Sequence, residues 1–144
     1  MAAEEMRRIG ITPRIALLSH SNFGSSTAAS AEKMRQVLDL VRARAPGTNI
    51  DGEMHGDIAL DAELRRHIMP RSTLVGDANL LVCPSIDAAN IAYNLLKIAA
   101  GNGIAIGPVL LGCNAAAAIL TSSATVRRIV NMTALTVLDA NARA

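Results

Sequence analysis

With 144 residues the chain is long enough for one domain and a usable core. Its apolar residues make up 51%, yet only Phe23 and Tyr93 are aromatic, so the core has to be built from Leu, Ile, Val, Ala and Met. A formal charge of +2, carried by dispersed Lys and Arg, excludes a nucleic-acid footprint or a polybasic membrane patch.

No apolar run approaches the roughly 20 residues that a membrane helix needs, and Met1 to Arg14 lacks the basic-then-apolar layout of a signal peptide, so a cytoplasmic protein is expected. Cys83 and Cys113 lie in separate apolar segments without CxxC spacing, which reads as two reduced, buried thiols.

In chain order, Met6 and Ile9 followed by Gly10 and Pro13 predict a helix over Ala2 to Ile9. A helix so close to the start, opening on Met1-Ala2-Ala3 without a capping side chain, suggests a piece of a longer polypeptide. Ile15 to Leu18 is a short apolar run, the pattern of a strand buried on both faces. A polar loop, Ser19 to Thr27, comes next. Behind it Met34, Val37, Leu38, Val41 and Ala45 form one helical stripe that ends at Pro46-Gly47.

Ile50 to Met54 predicts the next strand, and Leu60, Leu64 and Ile68 a short helix ending before Pro70. Ala78 to Val82 predicts a third strand, and Ala88, Ile91, Ala92, Leu95 and Ala99 trace the helix after it. Ile104 to Leu111 predicts a fourth strand, broken by Gly107-Pro108 at an edge or bulge. Val126, Ile129, Val130, Thr133 and Val137 give a final helix, and Ala115 to Ala118 either extends a helix or replaces something more specific. The alternation predicts an α/β fold with a largely parallel sheet and helices on both faces.

Chemistry-bearing residues gather where strands end. Ser21, Asn22, Gly24, Ser25 and Ser26 lie between a buried strand and a helix start, so their hydroxyls and the free amides there make a candidate anion cradle. The alternative is an ordinary loop capped by Ser26 or Thr27. It is neither GxxxxGK[ST] nor GxGxxG. Ser85 and Asp87 come just after the third strand, and either can cap the next helix. Asn90, one turn on, points at a ligand or at solvent. Arg127 and Arg128 occupy the first turn of the last helix, where the macrodipole disfavours cations and an anionic partner would offset that. Solvated or ion-paired arginines are the alternative. His20, His55 and His67 show no metal-ligand spacing, and no serine or cysteine sits in a recognisable nucleophile motif.

PRIALLSHSNFGSS at Pro13 to Ser26, DGEMHGDIALD at Asp51 to Asp61 and ANLLVCPSIDAANIAYNLLK at Ala78 to Lys97 resemble the phosphate acetyltransferase family. GPVLLG at Gly107 to Gly112 and ATVRRIVNMTAL at Ala124 to Leu135 extend the likeness over nearly the whole chain. The wording SHSNFGSS with DGEMHGD resembles the domain fused behind bacterial NADP-dependent malic enzymes more than it resembles free-standing acetyltransferases. The resemblance implies one lobe of a two-lobed phosphotransacetylase or isocitrate-dehydrogenase-like fold. Residues 1–112 would form the main lobe, and the helix over 124–144 would belong to or pack on the second.

The resemblance also implies self-association as a dimer or larger, and acetyl-CoA or a related acyl-CoA as ligand. No nucleic-acid or membrane partner is expected. It places Thr121, Ser122 and Ser123 on the Ser-Arg-Gly motif of the free-standing transferases, with Ser122 replacing the arginine, and Arg128 where they carry an acidic catalytic residue. Cys113 to Ala118 stands where the fused domains usually keep a lysine, a proline and a histidine. Acetyl-CoA binding without turnover is therefore expected, with no catalytic residue in this piece and with NADP and a divalent metal needed only by the catalytic half. An active acetyltransferase and a purely structural dimerisation module are the rival readings.

Overall fold

In the computed structural model, which describes residues 1–100 and 106–143, the chain divides into two compact units, Ala3–Tyr93 and Asn94–Ala144 with Met1–Ala2. The first holds a three-stranded sheet and its helices.

Helix α1 (Ala2–Arg8) ends as its sequence predicts. Ile11 N–H donates to Met6 O and Gly10 N–H to Arg7 O, a Schellman closure that Gly10 permits at φ +80°. Strand β1 (Ile15–Leu18) leads through the polar loop to α2 (Ala29–Arg44), β2 (Ile50–Met54), α3 (Gly56–Leu60), α4 (Ala62–Ile68), β3 (Leu80–Val82) and α5 (Ile86–Ala99). All pairing is parallel, in the order β2-β1-β3.

The central strand alternates as a doubly covered strand must. Ile15 and Leu17 pack with Met34 and Leu38 of α2 on one face, while Ala16 packs with Ile58 and Ala59 of α3 on the other. Helices thus cover both faces, as the alternation of elements predicts. Ala28, rather than Ser26 or Thr27, occupies the N-cap of α2 and offers no side-chain bond. The Ser26 hydroxyl accepts Ala28 N–H at 3.2 Å from one step further out.

Strand β2 carries the feature that shapes the site. Leu17 pairs with Gly52 but Leu18 pairs with Met54, so Glu53 is an extra residue, a β-bulge. The bulge reverses the facing of the residue after it. Ile50 lies in the α2-side cluster and Met54 in the α3-side cluster, although four residues along a regular strand would return a side chain to the same face. Gly52, at φ +140°, is required here, because a Cβ would stand 2.6 Å from Leu17 O.

Two expectations fail. The stripe Leu60, Leu64 and Ile68 does not form one helix. Asp61 ends α3 and caps α4 by accepting Glu63 N–H and Leu64 N–H at 2.9 Å, and Leu60 and Ile68 are exposed. The buried residue of α4 is instead Arg65, 1% exposed, which donates to Ile58 O at 3.0 Å, Ala59 O and Leu74 O at 3.2 Å, and to Gly76 O.

The predicted strand over Ile104 to Leu111 does not appear among the described residues. Residues 104 and 105 lie outside them, and 106–111 pair with no strand, since Gly107 takes φ +120° and Pro108 offers no amide hydrogen. Ala115 to Ala118 form no helix either. The second unit is dominated by α6 (Val126–Arg143), whose start is bonded by Arg128 N–H to Thr125 Oγ1 at 3.3 Å.

Replacing Arg65 with Met keeps the volume but strands those carbonyls without a donor. The variant should lose about 3 kcal/mol of stability in urea unfolding, since a buried unpaired polar group costs on the order of 1–3 kcal/mol. A loss within error of zero would mean that water replaces the guanidinium.

Candidate functional site

The candidate site is the loop between β1 and α2, and its geometry is a consequence of the bulge. Bulging sends the Glu53 side chain, with no exposed surface, into the loop. Its Oε1 accepts Ser21 Oγ–H at 2.7 Å, Gly24 N–H at 2.9 Å and Arg35 Nη1–H at 2.8 Å. Arg35, projecting from α2, also donates to Ser26 O at 3.1 Å. Both ends of the loop are therefore held by one ion pair.

The remaining donors turn inward as well. Phe23 N–H bonds Glu53 O at 2.8 Å, and φ +47° at Phe23 turns the chain there. Asn22 N–H bonds Ser25 Oγ at 2.9 Å, Ser25 N–H bonds Asn22 O at 3.2 Å, and Ser26 N–H bonds Ser21 Oγ at 3.0 Å. Asn22 Oδ1 takes His55 N–H at 2.7 Å, joining the loop to the start of α3. His20 Nε2 shares a hydrogen bond of 3.2 Å with Ser26 Oγ, and His55 Nε2 reaches His20 O at 2.9 Å.

Ser21, Asn22, Gly24, Ser25 and Ser26 are thus brought together, but not as an open cradle. Ser21 is buried and spent on Glu53, and the Gly24 amide is spent on the same oxygen. Gly24, Ser25 and His20 are exposed, and Asn22 and Ser26 half-buried, so these form the loop's outer surface. Asp87 and Asn90 are exposed in the first turns of α5, whose start is capped by Ser85 Oγ accepting Ala88 N–H at 3.2 Å. Lys33 of α2 donates to Pro84 O beside them.

Arg127 and Arg128 belong to the other unit, in the first turn of α6 as its sequence predicts, and no acidic residue accompanies them there. Arg128 Nε is shielded from solvent without a partner among the described residues. Cys83 and Cys113 are free and half-buried rather than buried, and burial pushes the Cys83 thiol up.

Sequence reasoning missed Glu53 and Arg35. A signal existed: Asp51 and Glu53 are two carboxylates in the five residues predicted as the second strand, and a strand covered by helices on both faces would bury them, which requires partners. Arg35 and Arg42, seven apart on one face of α2, supply them, with Arg42 Nη2 3.0 Å from Asp51 Oδ1.

Burial alone would raise the Glu53 pKa, but hydrogen bonds from Ser21, from backbone amides and from Arg35 outweigh it and hold the carboxyl below its ordinary value of 4.5. A depressed folded value means that ionised Glu53 stabilises the fold at pH above 4.5, and that this contribution is lost as pH falls through the folded value. Urea midpoints measured down an acid series should therefore fall more steeply for the native chain than for Glu53→Gln. Parallel slopes would show that the loop does not depend on the charge.

Known proteins resemble the chain over nearly its whole length. The family model for phosphate acetyl/butaryl transferase matches residues 1–137. The NADP-dependent malic enzyme of Escherichia coli is 58% identical over 140 residues, covering 97% of this chain and 18% of that protein. The phosphate acetyltransferase of Paracoccus denitrificans is 43% identical over 139 residues, 96% of this chain and 43% of that one. The chain therefore spans about a fifth of the malic enzymes it matches. Among solved structures, EutD phosphotransacetylase from Staphylococcus aureus superposes with a TM-score of 0.86 at 30% identity, over 96% of this chain and 43% of its own. A phosphotransacetylase from Streptococcus pyogenes gives 0.88 at 30% identity, over 97% and 42%. This sheet with its flanking helices matches one lobe of that two-domain fold, and the chain belongs to the phosphate acetyl/butaryl transferase family, as a domain of the kind found in the C-terminal region of NADP-dependent malic enzymes.

Proposed function

We propose that this domain binds acetyl-CoA or a related acyl-CoA without turning it over, and that within a malic enzyme it conveys that binding to a separate catalytic half and helps the subunits associate. The observation that carries the reading is the higher identity to malic enzymes, 58% against 43% for an acetyltransferase, together with Thr121-Ser122-Ser123 and Arg128 at positions where the resemblance expects an arginine and an acid. Losing a fixed cation and a carboxylate from a reacting centre removes electrostatic stabilisation of the kind worth several kcal/mol. In the first unit, ligand contacts are assigned to the outer atoms of Asn22, Ser25 and Ser26 and to Asp87 and Asn90, with Ser21 and Gly24 framing the loop from inside; in the second unit, taken by itself, Arg127 and Arg128 are assigned to an anionic group of the ligand.

Oxidative decarboxylation of malate to pyruvate, with NADP and a divalent metal, is assigned to the part of such enzymes outside these residues. No helix among the described residues is long and apolar enough to cross a membrane. Val126 and Val130, one turn apart on α6, are both exposed and support self-association.

Calorimetric titration of the chain with acetyl-CoA should show binding, with no acetyl phosphate formed when phosphate is added and no malate-dependent NADP reduction. Replacing Arg127 and Arg128 with Ala should weaken binding about tenfold and make it less salt-sensitive, leaving the oligomeric state unchanged. Absence of heat from a folded, self-associated protein would leave only the structural reading, which Ala115 to Ala118 favours. Acetyl phosphate formation would restore the transferase.

A further inference from the structure

A hydroxyl, a glycine amide and a guanidinium converging on one point are the donor set that proteins offer to a bound phosphate or carboxylate. In this loop the point is taken. Ser21 Oγ, Gly24 N and Arg35 Nη1 all meet at Glu53 Oε1, at 2.7, 2.9 and 2.8 Å, and Glu53 has no exposed surface. The second carboxylate oxygen, Oε2, is buried without a partner among the described residues, so the carboxylate is held through one oxygen, by two donors of the loop and one of α2.

We propose that Glu53 is a built-in ligand of the Ser21–Ser26 loop, a positioning residue that keeps the loop folded before acyl-CoA arrives and bars phosphate and other small anions from its interior.

Three observations bear on this. The loop is hydrogen-bonded from end to end by the chain's own groups, with Arg35 bridging Glu53 Oε1 and Ser26 O. Two other ionisable groups stand beside it, His20 in the polar loop and His55 at the start of α3, and their rings bond to Ser26 Oγ and to His20 O rather than to Glu53, so among the described residues Arg35 is the cation that balances it. The bulge supplies the carboxylate from β2, outside the loop's own sequence, which makes the loop's shape a property of the sheet rather than of a bound molecule. A ligand arriving at such a loop meets side chains already ordered and loses less entropy in binding.

The idea rests on the acyl-CoA reading only where affinity is concerned, and the test separates the two. Glu53→Ala removes a CH2–COO unit, which is the size of acetate. In that variant the amide hydrogens of Gly24 and Ser26 should exchange faster than in the native chain, and acetyl-CoA should bind about tenfold more weakly. Sodium acetate, compared with sodium chloride at equal ionic strength, should restore both and raise the melting temperature of the variant but not of the native chain. Inorganic phosphate should likewise stabilise only the variant. Glu53→Gln, which refills the space with an uncharged acceptor, should show smaller losses and no response to acetate.

The proposal is overturned if folded Glu53→Ala keeps native exchange at Gly24 and Ser26, or if acetate and chloride act alike on it. Should that variant fold only when acetate is present, the proposal stands. Failure to fold in either salt, with native exchange and affinity in Glu53→Gln, overturns it. If the native chain does not bind acetyl-CoA, the functional reading falls, while exchange and acetate rescue still decide the role of Glu53.

Discussion

An ionised carboxylate with no exposed surface is the constraint around which the first unit is arranged. Removing Glu53 from solvent is costly unless donors surround it, and the chain meets that demand from three directions: a serine, a glycine amide and an arginine on the neighbouring helix. Each of those donors belongs to a segment that must be correctly placed for the bond to form. The carboxylate therefore ties the two halves of the turn through Ser21 and Gly24, and α2, to one point on β2.

Asp51 repeats the arrangement two residues earlier on the same strand. It accepts Arg42 Nη2 at 3.0 Å, Ser72 Oγ at 2.8 Å and Thr73 N–H at 2.6 Å, so the chain after α4 is fixed to the opposite end of β2. Arg35 and Arg42 stand two turns apart on α2, and the apolar residues between them, Val37, Leu38 and Val41, pack on the sheet. Helix α2 is thus joined to the sheet by apolar contact along its middle and by ion pairs that fix its register along β2. A helix stripe alone can slide along a sheet with little penalty. Two arginines committed to two buried carboxylates cannot.

Much of this architecture was legible in the residues. The strands at Ile15 and Ile50, the α2 stripe and the glycine stop of α1 come from period and punctuation, because those signals act within a few residues of one another. The loop was legible as a place where polar groups gather, and the family resemblance as a set of words spread along the chain. The parts that were not legible depend on distant partners. Leu60 and Ile68 look like a buried stripe until Asp61 ends one helix and starts another, and Arg65 looks like a surface cation until four carbonyls from two separate segments close around it. The inward turn of Ser21 and Gly24 likewise could not be read from the loop, since its cause is a glutamate about thirty residues on and a bulge that no local pattern announces.

The bulge sets a rule about length as well as about identity. Because Ile50 belongs to the core beneath α2 and Met54 to the core beneath α3, this strand crosses from one apolar layer to the other in an even number of steps where a regular strand would take an odd one. Deleting Glu53 would leave a regular strand in which Met54 still follows Gly52 and still faces α3, but it would withdraw the carboxylate from the loop. A further residue inserted before Met54 would instead carry it across to the wrong layer, emptying one core and crowding the other. Among related domains, the spacing between the partner of Leu17 and the first turn of α3 should stay fixed even where the residues that fill it drift.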